Sequence, residues 1–511
     1  MLKHGLLALT TLSFFAVSCS SSSPGGDGTG GNSATGGTTS TGFGGSPNTG
    51  AGGTTSSTGG TTSSTGGHVG TGGQTASGGS TGNTGGVVGT GGRSTGGEAG
   101  SASKGGNGGG GPGGRPGVGG GTATGGSPTG GGGSSGSSSA ENNFAGCTAS
   151  SGALLSADNK KLPNPFARHD GTVISSKSDW ECRRAEIKAD LEKYEIGPKP
   201  DPSQTTVAAT LSGSKLSVVV TSKDGSLTLT STVSGSGSCV VIGMDGNSSM
   251  VSGCTQIPFT SSQVVQMMQN SNRYQSDPYF KVFPSLWNQM GNYSAWSWGI
   301  SRLIDGITQV KDQLKVDVTK IAVHGCSYAG KMALFGGALD ERVALTVVEE
   351  SGGGGIDSWR MSQEYTDRSG VNVEKIDNTN YAWFMTSMQK LDPYKLPHDH
   401  HELIAMVAPR PVIILGNDDY DWLGDESGYK STMAAIQVFT ALGVANKIGY
   451  DFTSGHGHCQ PPTTQKNSVN AFVTRFLQGG STDPNIAIKP PKSGFDLNWQ
   501  GAIDWTTPTL N

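Results

Sequence analysis

The order of apolar and polar residues predicts strands that alternate with helices over the last two thirds of the chain. Residues 205–233 alternate between apolar and polar positions, which predicts an antiparallel meander. Beyond it, short apolar runs predict buried strands at 240–244, 320–324, 342–348, 411–415 and 448–452. Helical spacing is found at 178–195, 295–307, 329–339, 431–442 and 468–477. The alternation predicts an α/β three-layer sandwich around a mostly parallel, doubly wound sheet.

Composition reduces the part of the chain that can fold. Most of the 85 glycines among the 511 residues precede residue 140, where they are interleaved with Ser and Thr. This stretch has too few apolar residues to offset chain entropy, so residues 20–140 are expected to be a disordered linker. One large domain is expected at 141–480, followed by a Pro-rich tail, 481–511, that wraps the surface or frays.

The N-terminus has the features of an export signal. Lys3 precedes a short apolar run, residues 5–17, which is too short to span a bilayer. Ala16-Val17-Ser18-Cys19 then resembles a bacterial lipobox, so residues 1–19 are expected to be a lipoprotein-like signal peptide and Cys19 a lipid anchor. Ordinary secretion, with cleavage near Ser18, is the alternative. Either way we expect an exported protein, at the cell surface or outer membrane or secreted.

Charge and cysteine usage exclude some classes of protein. The net charge is −4 without a basic stripe, so nucleic-acid binding is not expected. If Cys19 is lipidated, an even number of cysteines remains, as in oxidising compartments. Fifteen pairings of these six are open, and without a CxxC pair no metal site is expected. They are Cys147, Cys182, Cys239, Cys254, Cys326 and Cys459.

The segment 323–331 (VHGCSYAGK) carries the strongest chemical signal. It lies between a predicted strand and a predicted helix, the setting of a nucleophile elbow. The small residues Gly325 and Ala329 flank Ser327 on either side and would allow a sharp turn. A helix that starts after Ser327 would bring backbone N–H groups to a developing oxyanion. The alternative is a Gly-rich turn with a capping serine.

An acid and a base follow in the order Ser, acid, His that α/β-hydrolases have. Glu350 ends a predicted strand before four glycines, and residues 455–459 (GHGHC) follow the last predicted strand. A neutral imidazole can take the serine proton and return it to a leaving alcohol. The alternatives are a solvated acidic loop and polar loop histidines.

Together these segments resemble one family. GCSYAGKMA, EESGGGG, DSWR, PHDHHEL, APRPVIIL, DWLG and HGHCQPP stand in the order found in the glucuronoyl esterases, carbohydrate esterase family 15, over residues 145–480. The resemblance implies an α/β-hydrolase fold, no cofactor and hydrolysis of 4-O-methyl-glucuronate esters that join glucuronoxylan to lignin alcohols. We expect a monomeric, bacterial member.

The resemblance also implies roles for single residues. Ser327 matches the nucleophile, His458 the base and Glu350 the acid, with Asp421 as a reserve acid. Lys331 and Trp422 match residues of the sugar site. The implied disulfides are Cys326–Cys459 and Cys147–Cys182, and Cys239–Cys254 is the pair that remains. The dense histidines at 398, 400 and 401 match a structural segment rather than a metal site.

Three positions depart from the family pattern. Tyr328 stands where the family has an arginine that helps the oxyanion; its backbone N–H can still donate, its phenol is a second candidate donor, and Arg360 is a candidate compensating cation. Glu374 and Asn380 stand where the sugar site has Gln and Glu. These changes leave two alternatives open: a carbohydrate esterase of different ester specificity, for example acetyl, and a tethered carbohydrate-binding protein with impaired catalysis.

Overall fold

The computed structural model describes residues 141–511 except 143, 145, 247 and 485–487. The predicted signal peptide, Cys19 and the predicted linker lie outside these residues. The α-helices are α1 (Lys177–Leu191), α2 (Pro278–Val282), α3 (Asn292–Gln309), α4 (Lys311–Leu314), α5 (Tyr328–Leu339), α6 (Trp359–Ser369), α7 (His400–Ala405), α8 (Asp425–Ala441) and α9 (Thr463–Phe476). The strands are β1 (Thr206–Ser212), β2 (Lys215–Thr221), β3 (Ser226–Thr232), β4 (Val240–Met244), β5 (Thr255–Phe259), β6 (Ile321–Cys326), β7 (Val343–Glu349), β8 (Val412–Gly416), β9 (Ile448–Phe452) and β10 (Ile488–Lys489).

Seven strands form the central sheet, in the order β10-β9-β8-β7-β6-β4-β5. Every strand pair in it is parallel within the described residues, which agrees with the predicted mostly parallel sheet. The two edge strands, β5 and β10, were not predicted. Pro258 interrupts the strand pattern of β5, and β10 has only two residues, so neither has a strong strand signal.

Helices cover both faces of this sheet, which gives the predicted three-layer sandwich. Alternate side chains of one strand point to opposite faces. Val240 and Ile242 of β4 accordingly belong to the core that holds the apolar side chains of α3, α5, α7 and α8. Val241 belongs to a second core, with Val469 and Phe472 of α9. Because both faces are buried, the central strands read as continuous apolar runs.

The predicted meander is a separate antiparallel sheet, β1-β2-β3. Leu216, Val218 and Val220 of β2 are buried in the larger core. The sheet packs closely on α3, because a Cβ added to Gly306 of α3 would lie 2.3 Å from a methyl carbon of Val218. A glycine is therefore needed at this contact.

The C-terminal tail wraps around the domain. Trp505 and Leu510 are buried in the main core. The Leu510 N–H donates to the carbonyl of Ala441 at 3.1 Å, and the Asn511 N–H donates to the carbonyl of Ser175 at 3.2 Å. Among the described residues, no helix is long and apolar enough to cross a membrane.

The histidine-rich segment 398–401 lies in the core. One oxygen of the buried Glu195 carboxylate accepts from Nε2 of His398 at 2.7 Å, and the other accepts from Nε2 of His400 at 2.8 Å. Nδ1 of His400 lies 2.6 Å from the carbonyl oxygen of Gly355, so both its ring nitrogens donate and the ring is an imidazolium. Burial opposes this charge, but Glu195, together with Asp399 and the Gly355 carbonyl, outweighs burial and raises the pKa of His400. The segment is structural, as expected.

This ion pair predicts a pH-dependent stability. A folded-state pKa raised above the unfolded value of 6.5 gives a stabilisation that is complete below pH 6.5 and is lost as the pH rises through the folded pKa. Above about pH 5 Glu195 stays ionised, because the two histidines lower its pKa. We expect His400→Gln to cost about 3–5 kcal/mol near pH 6 and less at about pH 9. Urea unfolding of both proteins across this range measures the difference, and a cost that is constant or grows with pH would contradict the assignment.

Candidate active site

Ser327 occupies a strained turn between β6 and α5. Its φ is 60° and its ψ is −127°, a backbone conformation that residues other than glycine rarely adopt. Two glycines make room for the turn: a Cβ on Gly325 would lie 2.1 Å from the carbonyl oxygen of Ala329, and one on Gly330 would lie 2.5 Å from that of Glu349. The turn has the form of a nucleophile elbow at the carboxyl edge of the sheet. The sequence indicated Gly325 but not Gly330.

The acid and the histidine of the predicted triad meet at the same edge. Glu350 directly follows β7, the neighbour of β6, and its side chain is fully buried. One carboxylate oxygen lies 2.6 Å from Nδ1 of His458 and also accepts the N–H of Cys459 at 3.2 Å. Because a carboxylate only accepts hydrogen bonds, Nδ1 carries the hydrogen. Nε2 of His458 is then the free basic nitrogen.

The other candidates for acid and base are placed differently. Nε2 of His456 lies 2.8 Å from the carbonyl oxygen of Thr453, and its Nδ1 is 3.7 Å from Glu350. Asp421 lies in an exposed helical turn and forms no ion pair with either histidine within the described residues. The geometry therefore brings Glu350, not the reserve Asp421, to His458.

A disulfide joins the serine segment to the histidine segment. Cys326 and Cys459 are bonded, with their Cα atoms 5.7 Å apart. A ring nitrogen of His458 lies within 4.8 Å of both sulfurs. The other two bonds are Cys147–Cys182 and Cys239–Cys254, so all three predicted pairs are present. Since the sulfurs beside His458 are oxidised, they offer no thiolate to a metal ion.

Tyr328, at the first position of α5, offers its backbone N–H beside the nucleophile. Its phenol is used elsewhere: the O–H donates to a carboxylate oxygen of Asp245 at 2.6 Å. Burial and then the negative charge of Asp245 raise the pKa of the phenol. The backbone N–H of Tyr328 is thus the donor of this residue that remains available beside Ser327.

Arg360 is not a compensating cation for this site, contrary to our expectation. Its guanidinium is fully buried and lies 3.0 Å from the carboxylate of Asp399. It also donates to the carbonyl oxygen of His398 at 2.8 Å. Arg360 therefore stabilises the histidine-rich segment.

Two of the predicted sugar-binding residues form an ion pair close to the nucleophile. Nζ of Lys331, one helical turn beyond Ser327, lies 2.7 Å from a carboxylate oxygen of Glu374. The other oxygen of Glu374 accepts the hydroxyl of Thr379 at 2.6 Å. Nζ also lies 5.4 Å from the ring centroid of Trp383, a cation–π contact. Neither Thr379 nor Trp383 could be found from the sequence, because they belong to no periodic element.

The other two predicted sugar-binding residues are at different places. The Asn380 amide is already bonded, since it donates to the carbonyl of Met268 at 2.6 Å and accepts the N–H of Ala382 at 2.9 Å. Asn380 therefore shapes its loop. Trp422 is about half exposed, and its ring centroid lies 4.9 Å from that of His458. It forms a wall beside the histidine.

Glu374 lines a cleft of about 470 Å³. Amide and hydroxyl groups dominate its lining, which suits uncharged hydrogen-bonding ligands. The lining residues are Gln269, Asn270, Ser271, Glu374, Asn378, Thr379, Asn380 and Trp383.

Comparisons with known proteins agree with this geometry. The family model described as "Glucuronyl esterase, fungi" matches residues 216–443. The 4-O-methyl-glucuronoyl methylesterase 1 of Phanerochaete chrysosporium is 36% identical over 372 residues, which are 69% of this chain and 77% of that protein. The chain belongs to the glucuronoyl esterase family. Among solved glucuronoyl esterases, the catalytic domain from Hypocrea jecorina has a TM-score of 0.63 at 34% identity and covers 70% of this chain and 98% of its own.

A second solved glucuronoyl esterase, from Sporotrichum thermophile, has a TM-score of 0.65 at 31% identity and covers 71% of this chain and all of its own. That structure is of a serine-to-alanine mutant in complex with methyl 4-O-methyl-β-D-glucopyranuronate. The predicted family and its α/β-hydrolase fold are confirmed. The expectation of a bacterial member has no support here, because the family model and the matching curated relatives are fungal.

Proposed function

We propose that the chain is a carboxylic ester hydrolase that cleaves 4-O-methyl-glucuronate esters, including those that link glucuronoxylan to lignin alcohols. The contact of 2.6 Å between Glu350 and His458, held to the Ser327 elbow by Cys326–Cys459, carries the proposal. The names of the relatives supply the substrate class, since they are 4-O-methyl-glucuronoyl methylesterases.

Ser327, His458 and Glu350 act as the triad in this mechanism. Nε2 of His458 takes the Ser327 proton as Oγ attacks the ester carbonyl carbon, and Glu350 stabilises the imidazolium. The backbone N–H of Tyr328 donates to the oxyanion. When the tetrahedral intermediate collapses, the bond to the alcohol oxygen breaks and His458 protonates that oxygen. Water then repeats the sequence on the acyl-enzyme and releases the uronic acid and free Ser327.

The sugar is held by hydrogen bonds and ring contacts, because the ester group carries no charge. Lys331 and Glu374 offer a charged donor and acceptor to sugar hydroxyls, and Trp422 offers a half-exposed ring beside His458. Asn380 contributes by fixing the loop that carries the cleft.

We propose also that the chain is exported. Three disulfides fit an oxidising compartment, and an export-type N-terminus agrees with an extracellular polysaccharide substrate. Lipidation of Cys19, the disordered linker at 20–140 and a monomeric state stay predictions.

Hydrolysis of the benzyl ester of 4-O-methyl-glucuronate by the full chain tests the function. We expect turnover that Ser327→Ala lowers by at least about a thousandfold, because the nucleophile is lost. Ser178→Ala, an exposed serine on α1, is the control and should be unchanged. If Ser327 is labelled by a fluorophosphonate but acetylated sugars are cleaved in preference to the glucuronate ester, the proposed ester specificity is wrong. If neither turnover nor labelling occurs, the enzyme assignment fails.

Tyr328→Phe separates the two oxyanion donors of that residue. The phenol already donates to Asp245, so we expect kcat to stay within about threefold of the native value if the backbone N–H serves the oxyanion. A loss of about a hundredfold, the usual effect of removing one oxyanion donor, would show that the phenol acts instead. Steady-state kinetics on the same ester give kcat and KM separately.

A further inference from the structure

The lysine of the Lys331–Glu374 ion pair is carried by the helix that begins at the proposed nucleophile, at which the proposed reaction changes the charge of the substrate. Lys331 follows Ser327 by one turn, and its backbone N–H donates to the Ser327 carbonyl at 3.0 Å. Its side chain is 5% exposed, so water screens its charge poorly. The Glu374 carboxylate is held from both sides, by Nζ of Lys331 and by the hydroxyl of Thr379. Glu374 therefore neutralises a buried cation at a fixed position.

Two further carboxylates contact residues beside the nucleophile. Glu350 accepts from Nδ1 of His458 and from the N–H of Cys459, and Asp245 accepts from the Tyr328 phenol. Two buried acids are close enough to feel these charges, Asp357 those of Lys331 and Glu374, and Asp425 that of Glu350. Burial, followed by the negative charge of Asp425 on Asp357 and of Asp418 on Asp425, raises the pKa of both carboxyl groups well above the usual value. Among these groups and the Lys331–Glu374 pair, all of them described residues, Lys331 is the only lysine or arginine.

The reaction changes the charge of its ligand from zero to minus one. The ester is neutral, whereas the uronic acid product ionises at neutral pH. An unpaired Lys331 would attract the product carboxylate, which is generated one helical turn away at Ser327. We propose that Glu374 is a specificity-determining residue, which cancels the charge of Lys331 so that the site binds the uncharged ester in preference to the anionic product. This inference rests on the proposed function, and it makes Glu374 a means of limiting product inhibition.

The test compares two ligands that differ by one charge. Isothermal titration calorimetry at neutral pH measures Kd for glucuronate and for glucuronamide, its uncharged counterpart, with the full chain. We expect the native protein to favour the amide. In Glu374→Gln the ratio of the two Kd values should shift towards glucuronate by at least about threefold, and added salt should reduce the shift.

Two further variants check that charge is the cause. Lys331→Gln/Glu374→Gln removes both charges and should return the ratio towards the native value. Lys331→Gln alone should shift the ratio of the two Kd values towards the amide. This variant tests the inference if Glu374→Gln does not fold. Glu181→Gln, an exposed glutamate on α1, changes the net charge of the protein equally and should leave the ratio unchanged.

The outcomes separate this inference from the proposed function. If both ligands bind and the ratio is the same in native protein and Glu374→Gln, Glu374 does not set the preference and the inference is wrong. If neither ligand binds the native protein, the assignment of a uronate site fails, and the inference fails with it.

Discussion

The disulfide Cys326–Cys459 is the constraint on which the site depends. It links the residue before the nucleophile to the residue after the base, although 133 positions separate them in sequence. Closing a loop of that size is worth about 4–5 kcal/mol in the chain-entropy account of disulfides. The stabilisation acts where alignment matters, because a small displacement of His458 from Ser327 would separate the proton acceptor from its donor.

The parallel sheet supplies the third member of the site. β6 and β7 are neighbours in register, with Cys326 opposite Glu349, so Ser327 and Glu350 leave adjacent strands at the same level. Both have positive φ, 60° and 42°, which turns each chain sharply at the edge of the sheet. The N–H of Ser327 donates to the carbonyl of Glu349 at 3.0 Å, so the two turns also brace each other. Backbone strain is thus concentrated at the reacting edge.

Much of the fold could be predicted from the sequence, because the apolar pattern of each central strand and helix agrees with the element that it forms. The strand predicted at 448–452 matches β9 at both ends, and the meander and the elbow helix lie where the pattern placed them. β5 could not be predicted, because proline and polar residues interrupt the apolar pattern of this edge strand.

The site could be predicted as far as short motifs reach. Ser327, Glu350 and His458 each stand in a local sequence with chemical meaning. Contacts between distant residues that neither a motif nor the family resemblance links could not be predicted, such as that of Tyr328 with Asp245, 83 positions away. The expectation for Arg360 was wrong for the same reason: its partner Asp399 lies 39 positions further on and draws it into the core. For such pairs, the local sequence of one residue does not indicate which residue will be its partner.

We infer that the Cys326–Cys459 bond aligns the proposed nucleophile with its base. The most direct test is kcat for the glucuronate ester in the variant Cys326→Ala/Cys459→Ala, under conditions where circular dichroism shows it folded. Cys239→Ala/Cys254→Ala, which removes a disulfide that is not next to Ser327 or His458 in sequence, is the matched control. We predict that kcat falls about a hundredfold in the first variant and stays near the native value in the second. Equal kcat in both folded variants would show that this disulfide does not align Ser327 with His458.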